Sequence, residues 1–294
     1  MIDLHLHSLY SIDGEFTPAA LMKQCRDAGV VLTAVTDHNS VKAVPEALEE
    51  ARKQNIRCIP ATELDCAYKG VNLHVLGYGI DYTSADFTAI ENDNIAAEHT
   101  ASRRRILLTK ERLGLVASPE ELDATVPSEK FKGFWTGEAF AEVLLANPEY
   151  KDNPLLIPYR SGGNRSENPC LNFYWDFYAQ GKPCYVPIAY PDFEHIVSVI
   201  RKNGGKAVLA HPANNLKNRL ELFDEMAGML DGVEVFSSYH TKEDARYFYD
   251  KARRYGLFVT AGSDYHGKTK PAVKMGNSGC FISDDELKNG LPDF

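Results

Sequence analysis

Short β-branched or leucine-rich runs alternate with amphipathic stretches through roughly the first 80 residues, the rhythm of βαβ units, which predicts a parallel sheet or barrel. Ile2 to Leu6 reads as the first strand. Thr17-Pro18 opens a helix over Ala19 to Ala28, and Gly29 closes it. Val31 to Thr36 is the second strand, Val44 to Gln54 a helix, and Ile56 to Thr62 and Leu73 to Tyr78 are extended. The rhythm breaks from about Ser84 to Pro183, where a long helical stretch (Phe87 to Leu113) precedes a Pro-, Gly- and aromatic-rich segment holding Trp135, Gly162-Gly163 and Trp175. It resumes with a helix from Asp192 to Lys202 and a strand from Lys206 to Ala210. Two further strands, Gly232 to Phe236 and Leu257 to Ala261, flank a helix over Lys242 to Tyr255. About seven parallel strands result, close to the eight of the common α/β barrel. The expected organisation is a discontinuous barrel, 1–83 and 184–294, interrupted by a mainly helical insertion, 84–183. Asp284-Asp285-Glu286 reads as a solvated helix start.

The polar residues fall in a second pattern. Asp3, His5 and His7 occupy alternate positions of the first strand, so the pleat turns them to one face and Ile2, Leu4 and Leu6 to the other. An isolated H-x-H is weak evidence for a metal, but the other strands repeat the theme. The second ends in Thr36-Asp37-His38, the third in Glu63, the fourth contains His74, and the fifth ends in Ala210-His211-Pro212. The sixth runs into Tyr239-His240 and the seventh into Gly262-Ser263-Asp264-Tyr265-His266. Of nine histidines only His99 and His195 lie in predicted helices. The carboxyl ends of the strands of a parallel barrel form one rim, which carries the active site, so distant side chains meet there. Asp13, in the first loop, adds an acid close above His7.

A mixed His and carboxylate set without thiolate suits Mn²⁺, Fe²⁺ or Zn²⁺. The candidates His5, His7, Asp13, His38, Glu63, His74, His211, Asp264 and His266 exceed what one ion can use, so two or three divalent ions are expected. Neighbouring ions that share a carboxylate or water lower the pKa of that water and clamp the oxygens of a displaced group, which suits phosphoester hydrolysis.

Composition narrows the partners. The 294 residues carry 41 acidic and 32 basic side chains, a formal charge of −9, which argues against a protein that grips duplex nucleic acid by its phosphates. The hydrophobic share of 44% and charged share of 25% exclude disordered and fibrous classes. No apolar run approaches the ~20 residues of a membrane span, and Met1-Ile2-Asp3-Leu4-His5 does not open a signal peptide. Six scattered cysteines without a C-x-x-C pair read as reduced, mostly buried thiols. A cytoplasmic enzyme with a small phosphorylated substrate, and no membrane partner, is expected.

The ordered motifs D-L-H-L-H-S (Asp3 to Ser8), S-I-D-G (Ser11 to Gly14), T-D-H-N (Thr36 to Asn39), Glu63, H-V-L-G-Y (His74 to Tyr78), A-H-P (Ala210 to Pro212) and G-S-D-Y-H (Gly262 to His266) resemble those of the PHP (polymerase and histidinol phosphatase) family of metal-dependent phosphoesterases. The resemblance implies a distorted (β/α)₇ barrel and a trinuclear site. It implies one metal on His5, His7, Glu63 and Asp264, a second on Glu63, His74 and His211, and a third on Asp13, His38 and His266. Aspartate at position 13 resembles the subgroup that hydrolyses nucleoside 3′,5′-bisphosphates and short oligonucleotides by a metal-bridging hydroxide. Another similar branch opens a ribose cyclic phosphate. Where the first subgroup carries T-R-P-H in its insertion, this chain has Trp135-Thr136-Gly137-Glu138. Glu63, Asp264, His266 and His240 are the expected catalytic residues, His240 also as a hydrogen-bond donor to phosphate or a proton donor to the leaving alkoxide.

Weaker signals complete the reading. The family places the insertion over the barrel mouth, so Arg103 or Arg104 of Arg103-Arg104-Arg105 is expected to bind phosphate, against the alternative of a solvated helix face. Asp37, pointing away from His38's face, is expected to orient a neighbouring ligand. Trp135, Trp175 and nearby tyrosines read as the insertion's small core, with base stacking as the functional alternative. Two rivals stand beside the phosphoesterase: a hydrolase of carbon centres, whose barrels commonly include a carboxylated lysine that no strand end supplies here, and a non-catalytic metal-binding module of the same fold.

Overall fold

A computed structural model describes residues 1–294. Seven strands lie side by side in chain order: β1 (Ile2–Leu6), β2 (Leu32–Val35), β3 (Arg57–Tyr68), β4 (Val71–Tyr78), β5 (Lys206–Leu209), β6 (Gly232–Ser237) and β7 (Phe258–Gly262). The ring closes between its ends. Asp264 N donates to His5 O and His7 N to Tyr265 O, both at 2.9 Å, and Leu6 bridges Tyr265 in parallel. The molecule is thus a distorted seven-stranded α/β barrel with a helical insertion.

The helices begin and end where local chemistry dictates. Thr17 Oγ1 accepts from Ala20 N at 3.1 Å, and Gly29 takes the left-handed conformation (φ 78°) that ends the Pro18–Ala28 helix. Helices Pro18–Ala28 and Val44–Lys53 cover β1 and β2 with Leu21, Met22, Cys25, Ala47 and Ala51. The larger core takes in residues of all seven strands, Ile2, Leu4, Leu32 and Ala34 among them, and packs them against the helices Phe193–Lys202 and Lys242–Tyr255. Six strands run as expected, but β4 does not. It is antiparallel to both β3 and β5, with Ala61 opposite Tyr78 and Val75 opposite Leu209. β3 continues past Glu63 to Tyr68 and reverses through Lys69-Gly70, both at positive φ. A two-residue turn at positive φ makes a hairpin, and a parallel return needs a crossover of a dozen residues.

The Ala85–Leu108 helix leaves the barrel and continues as a π turn over Thr109–Leu113. The following residues close around their own apolar cluster of Leu115, Leu122, Trp135, Phe140, Leu144 and Phe173. Polar contacts tie them back to the barrel: Lys130 Nζ donates to Tyr10 O, Lys268 pairs with Glu142, and Gln180 Nε2 donates to Gly70 O. No helix is long and apolar enough to cross a membrane. Ser283 caps the Asp284–Gly290 helix, so the acidic trio there is a helix start.

Candidate metal centre

Burial and alternation place the first ligand candidates. Every side chain of β1 is buried; the inward face presents Asp3, His5 and, one residue on, His7. Ser263 N and Oγ and Gly276 N donate to Asp3, which pins the strand without joining the cluster. His5 Nδ1 lies 2.9 Å from Glu234 Oε1, while the other oxygen of Glu234 accepts from His211 N at 2.8 Å. That contact leaves His5 Nε2 to face inward. His7 is oriented from the loop above. Ser11 Oγ donates to Asp37, so it accepts from His7 Nδ1–H at 3.0 Å and frees His7 Nε2. Asp37 also accepts from Ser8 N and Oγ, and it acts on His7 through Ser11 Oγ, in line with an orienting role.

Four donor atoms then converge. His5 Nε2 and His7 Nε2 are 3.0 Å apart, Glu63 Oε2 lies 3.1 and 3.2 Å from them, and Asp264 Oδ1 lies 3.3 and 3.0 Å from them. Donors about 2.1 Å from a common ion stand roughly 3.0–3.4 Å from one another at octahedral or tetrahedral angles. The four atoms therefore have the mutual spacing of a coordination shell. Glu63 turns its second oxygen to a neighbouring group, with His74 Nδ1 at 3.0 Å and His211 Nε2 at 3.1 Å. A third group gathers His7, Asp13, His38 and His266, with His266 Nε2 3.2 Å from Asp13 Oδ2. His266 Nδ1 is engaged by Asp264 O and His211 Nδ1 by Asn215 Oδ1, which aims their Nε2 atoms inward.

The polar accounting supports cations. Asp13 Oδ1, Asp264 Oδ1, His38 Nδ1, Asp65 Oδ1 and His266 Nε2 are buried without a hydrogen-bond partner, a costly state unless a ligand satisfies them. Protonation alone does not relieve them evenly. Burial lowers the His7 pKa to about 4, helped by His266 and His38. Burial also disfavours charge on His38, but Glu63, Asp65 and Asp13 outweigh it and push it up to about 10. His5 is likewise held well above the ordinary value by Glu234, Glu63 and Asp264 despite its burial. Glu63, Asp13 and Asp264 stay ionised against desolvation because the imidazoles, and Lys270 for Asp264, surround them. The residues present fit two or three adjacent divalent ions.

The cluster opens into a cavity of ≈ 840 Å³ walled by the barrel loops and the insertion. Here several expectations change. Arg103 and Arg104 are exposed, and Arg104 faces Glu111 at 3.7 Å; helical rotation turns Arg105 instead into the cavity wall, where its Nη1 donates to Glu98 at 2.6 Å and Trp135 O at 3.1 Å. His240 does not line the cavity. Its Nδ1 donates to Val235 O at 2.8 Å and its Nε2 accepts from Ala213 N at 3.3 Å, so its two nitrogens tie the segment after His211 to β6. Trp135 is core, with Nε1 on Asp123 Oδ1, but Trp175 lines the cavity.

Five residues escaped the sequence reading. Glu234 sits within the apolar run V-E-V-F, and a lone acid on an inward strand position was its signal. Asp65 follows Glu63 by two, hence on the same face, and it closes a group with His38 and His74. Lys270, from the loop after β7, puts Nζ 2.6 Å from Asp264 Oδ2, so a lysine does reach the cluster although no strand end supplies it. Arg105 was hidden by its two neighbours. Glu138, at the start of the Gly137–Ala146 helix, lines the cavity, and burial with nearby Asp13 raises its pKa to about 7.

The comparisons with known proteins agree with this geometry. Residues 3–153 match the PHP domain. The chain is 28% identical over 282 residues to the 5′-3′ exoribonuclease Rnm of Escherichia coli, covering 93% of this chain and 87% of the relative. It is 27% identical over 284 residues to a 3′,5′-nucleoside bisphosphate phosphatase of Chromobacterium violaceum, covering 94% and 91%. It is 28% identical over 273 residues to the phosphoribosyl 1,2-cyclic phosphate 1,2-diphosphodiesterase of Eggerthella lenta, covering 90% and 94%. Among solved structures, a protein of Bifidobacterium adolescentis assigned as a metal-dependent phosphoesterase superposes with a TM-score of 0.76 at 26% identity, over 98% of this chain and 94% of that one. A Chromobacterium violaceum protein described as an amidohydrolase, with bound sulfate, gives 0.74 at 25%, over 98% and 96%. The ordered histidine and carboxylate motifs, the closed seven-stranded barrel and the match across half the chain lead to one assignment: this protein belongs to the PHP domain family and is a metal-dependent phosphoesterase.

Proposed function

We propose that the chain hydrolyses a phosphomonoester of a small nucleotide-like metabolite carrying a second anionic group, with a nucleoside 3′,5′-bisphosphate as the best fit. The observation that carries this reading is the mixed lining of the cavity: ligand candidates of the cluster share it with Trp175, whose ring centre lies 4.0 Å from Lys217 Nζ, and with Lys182. Burial, and then the neighbouring ammonium of Lys182, disfavours the charged form of Lys217. One cation on an aromatic face, with a second cation near enough to repel it, suits an anion attached to a planar ring.

His5, His7, Glu63 and Asp264 would hold one ion, Glu63, His74 and His211 a second, and Asp13, His38 and His266 a third, with Mn, Fe or Zn compatible with these donors. Bound there, divalent ions supply Lewis acidity and a water of lowered pKa. The protein's own share is position and charge. Glu63 spans two groups, so it fixes their separation. Lys270 keeps free ammonium protons toward the cavity, where they can donate to phosphate oxygens while it stays paired with Asp264. Arg105 would offer the guanidinium that the sequence sought in Arg103 and Arg104. Residues 84–183 would serve as the wall that excludes water and selects the alcohol. The six cysteines are all free, which fits the expected cytoplasmic setting.

The test is phosphate release by Mn²⁺-reconstituted protein from a nucleoside 3′,5′-bisphosphate, a ribose cyclic phosphate, a short 5′-phosphorylated RNA, histidinol phosphate and a simple monoester, each with a chelated control. The bisphosphate is expected to give the highest kcat/KM, and Trp175→Ala to raise its KM without touching the simple monoester. Preference for the cyclic phosphate moves the assignment to the cyclic phosphodiesterase branch, and preference for RNA to the exoribonucleases. Metal uptake without turnover of any substrate supports the non-catalytic module.

A further inference from the structure

Asp65 is held by one neighbour in a single orientation. Its backbone N donates to Asn39 Oδ1 at 3.0 Å, which identifies the oxygen side of that amide, and Asn39 Nδ2 donates to Asp65 Oδ2 at 2.8 Å. Asn39 is itself fixed, in the left-handed region at φ 53°, with its N on Glu63 O at 2.7 Å. The clamp leaves Asp65 Oδ1 buried, unpartnered and aimed between two rings, with His74 Nε2 at 3.4 Å and His38 Nδ1 at 3.6 Å, a nitrogen that also lies 3.3 Å from Glu63 Oε2. His74 turns its other nitrogen, Nδ1, to Glu63 at 3.0 Å beside His211. His38 belongs equally to the group with His7, Asp13 and His266.

We propose that Asp65 is a shared positioning carboxylate, which accepts from His74 Nε2–H and His38 Nδ1–H and so sets the tautomer and tilt of two histidines that serve two different metal ions. An outer carboxylate on the far nitrogen of a ligating imidazole fixes the ring and raises its basicity. A single carboxylate serving two such rings would couple the second and third ions, while the group of His5, His7, Glu63 and Asp264 has its own support in Glu234 and Ser11. A direct role for Asp65 as a ligand between the same rings is disfavoured, because His74 would then have to bind ions through both nitrogens. The T-D-H-N motif gains a reason for its last residue: Asn39 holds the carboxylate that holds the histidines.

The inference rests on the multinuclear reading above, and the experiment separates the two. Chelator-stripped protein is titrated with Mn²⁺ by calorimetry, with ions per chain counted by elemental analysis. In Asp65→Asn the new amide must point its NH₂ either at the Asn39 donor or at the two ring N–H groups, so neither orientation is satisfied. The steps weakened by His74→Ala and by His38→Ala are expected to weaken on the order of 10–100-fold in Asp65→Asn, while the step removed by His5→Ala keeps its affinity. Asn39→Gly, which tolerates the positive φ, is expected to weaken the same two steps. In Zn²⁺-loaded protein, nitrogen NMR should show protons on His74 Nε2 and His38 Nδ1. Unchanged isotherms, uniform weakening of all steps, or loss of a single step overturns the proposal. A wild-type chain that binds fewer than two Mn²⁺ overturns the multinuclear reading and the proposal with it.

Discussion

Lys270 Nζ stands 2.6 Å from Asp264 Oδ2, and both side chains are almost wholly buried in the cavity wall. Asp264 meanwhile turns Oδ1 to His5 and His7. One carboxylate therefore faces a cation the protein supplies and the group where a divalent ion would bind. Lys270→Met removes a competitor for Asp264 and the proposed donor to phosphate together. Turnover is expected to fall about 100-fold, the cost of one lost donor to a developing oxyanion, while Mn²⁺ content is kept. Steady-state kinetics with elemental analysis checks this; loss of metal in the variant would assign Lys270 to the metal group instead.

Without divalent ions, His38 is pushed up to about 10 by Glu63, Asp65 and Asp13 against its burial. The unfolded value is about 6.5. Between the two, the folded chain binds more protons than the unfolded one, so this stability is present below about pH 6.5 and is lost as pH rises toward 10. The Tm of chelator-treated protein is expected to fall across that window, less steeply in His38→Ala. Metal binding needs the deprotonated ring, so Mn²⁺-loaded protein should show no such fall. Calorimetric scans at stepped pH decide it.

Arg105 is paired with Glu98 at 2.6 Å, with side-chain exposures of 11% and 8%, whereas Arg103 and Arg104 face solvent. Arg105→Ala strands a buried carboxylate and is expected to cost about 3–5 kcal/mol in denaturant unfolding, with a raised substrate KM. Arg103→Ala and Arg104→Ala should leave both within about twofold and ~0.5 kcal/mol. An effect at Arg104 as large as at Arg105 would contradict the helix rotation described.

Gly262 ends β7 where a Cβ would lie 2.2 Å from His5 Cβ and 2.5 Å from Glu234 Oε1. The contact is with the pair that orients the first ligand. Gly262→Ala is expected to destabilise by about 1–3 kcal/mol through overpacking and to weaken Mn²⁺ binding by displacing His5. Gly228→Ala, where nothing lies within 4 Å, is the control. Equal Tm and equal metal affinity in the two variants would show that His5 tolerates the displacement.

The alternation of β1 and the recurrence of His, Asp and Glu after short apolar runs already specify the cluster, because a strand's pleat and a barrel's rim are local consequences of period and chain direction. His5, His7, Glu63 and Asp264 meet for that reason, as do Glu63, His74 and His211. The antiparallel β4 was less visible, since β3 and β4 look alike whichever way they run and only the positive φ of Lys69 and Gly70 makes the hairpin.

What the chain order determined by itself was the barrel rhythm, the break after the fourth strand and the identity of the ligand candidates, all carried by spacing along a single element. Tertiary structure alone decided the second layer: that Glu234 rather than solvent receives His5 Nδ1, that Arg105 rather than Arg104 faces the cavity, that His240 is spent on Val235 and Ala213, and that Lys270 comes back from a loop to meet Asp264. These depend on contacts between segments far apart in the chain and on helix rotation of about 100° per residue. No periodicity records them, because the partner that satisfies a buried polar atom is chosen by packing and not by sequence neighbourhood.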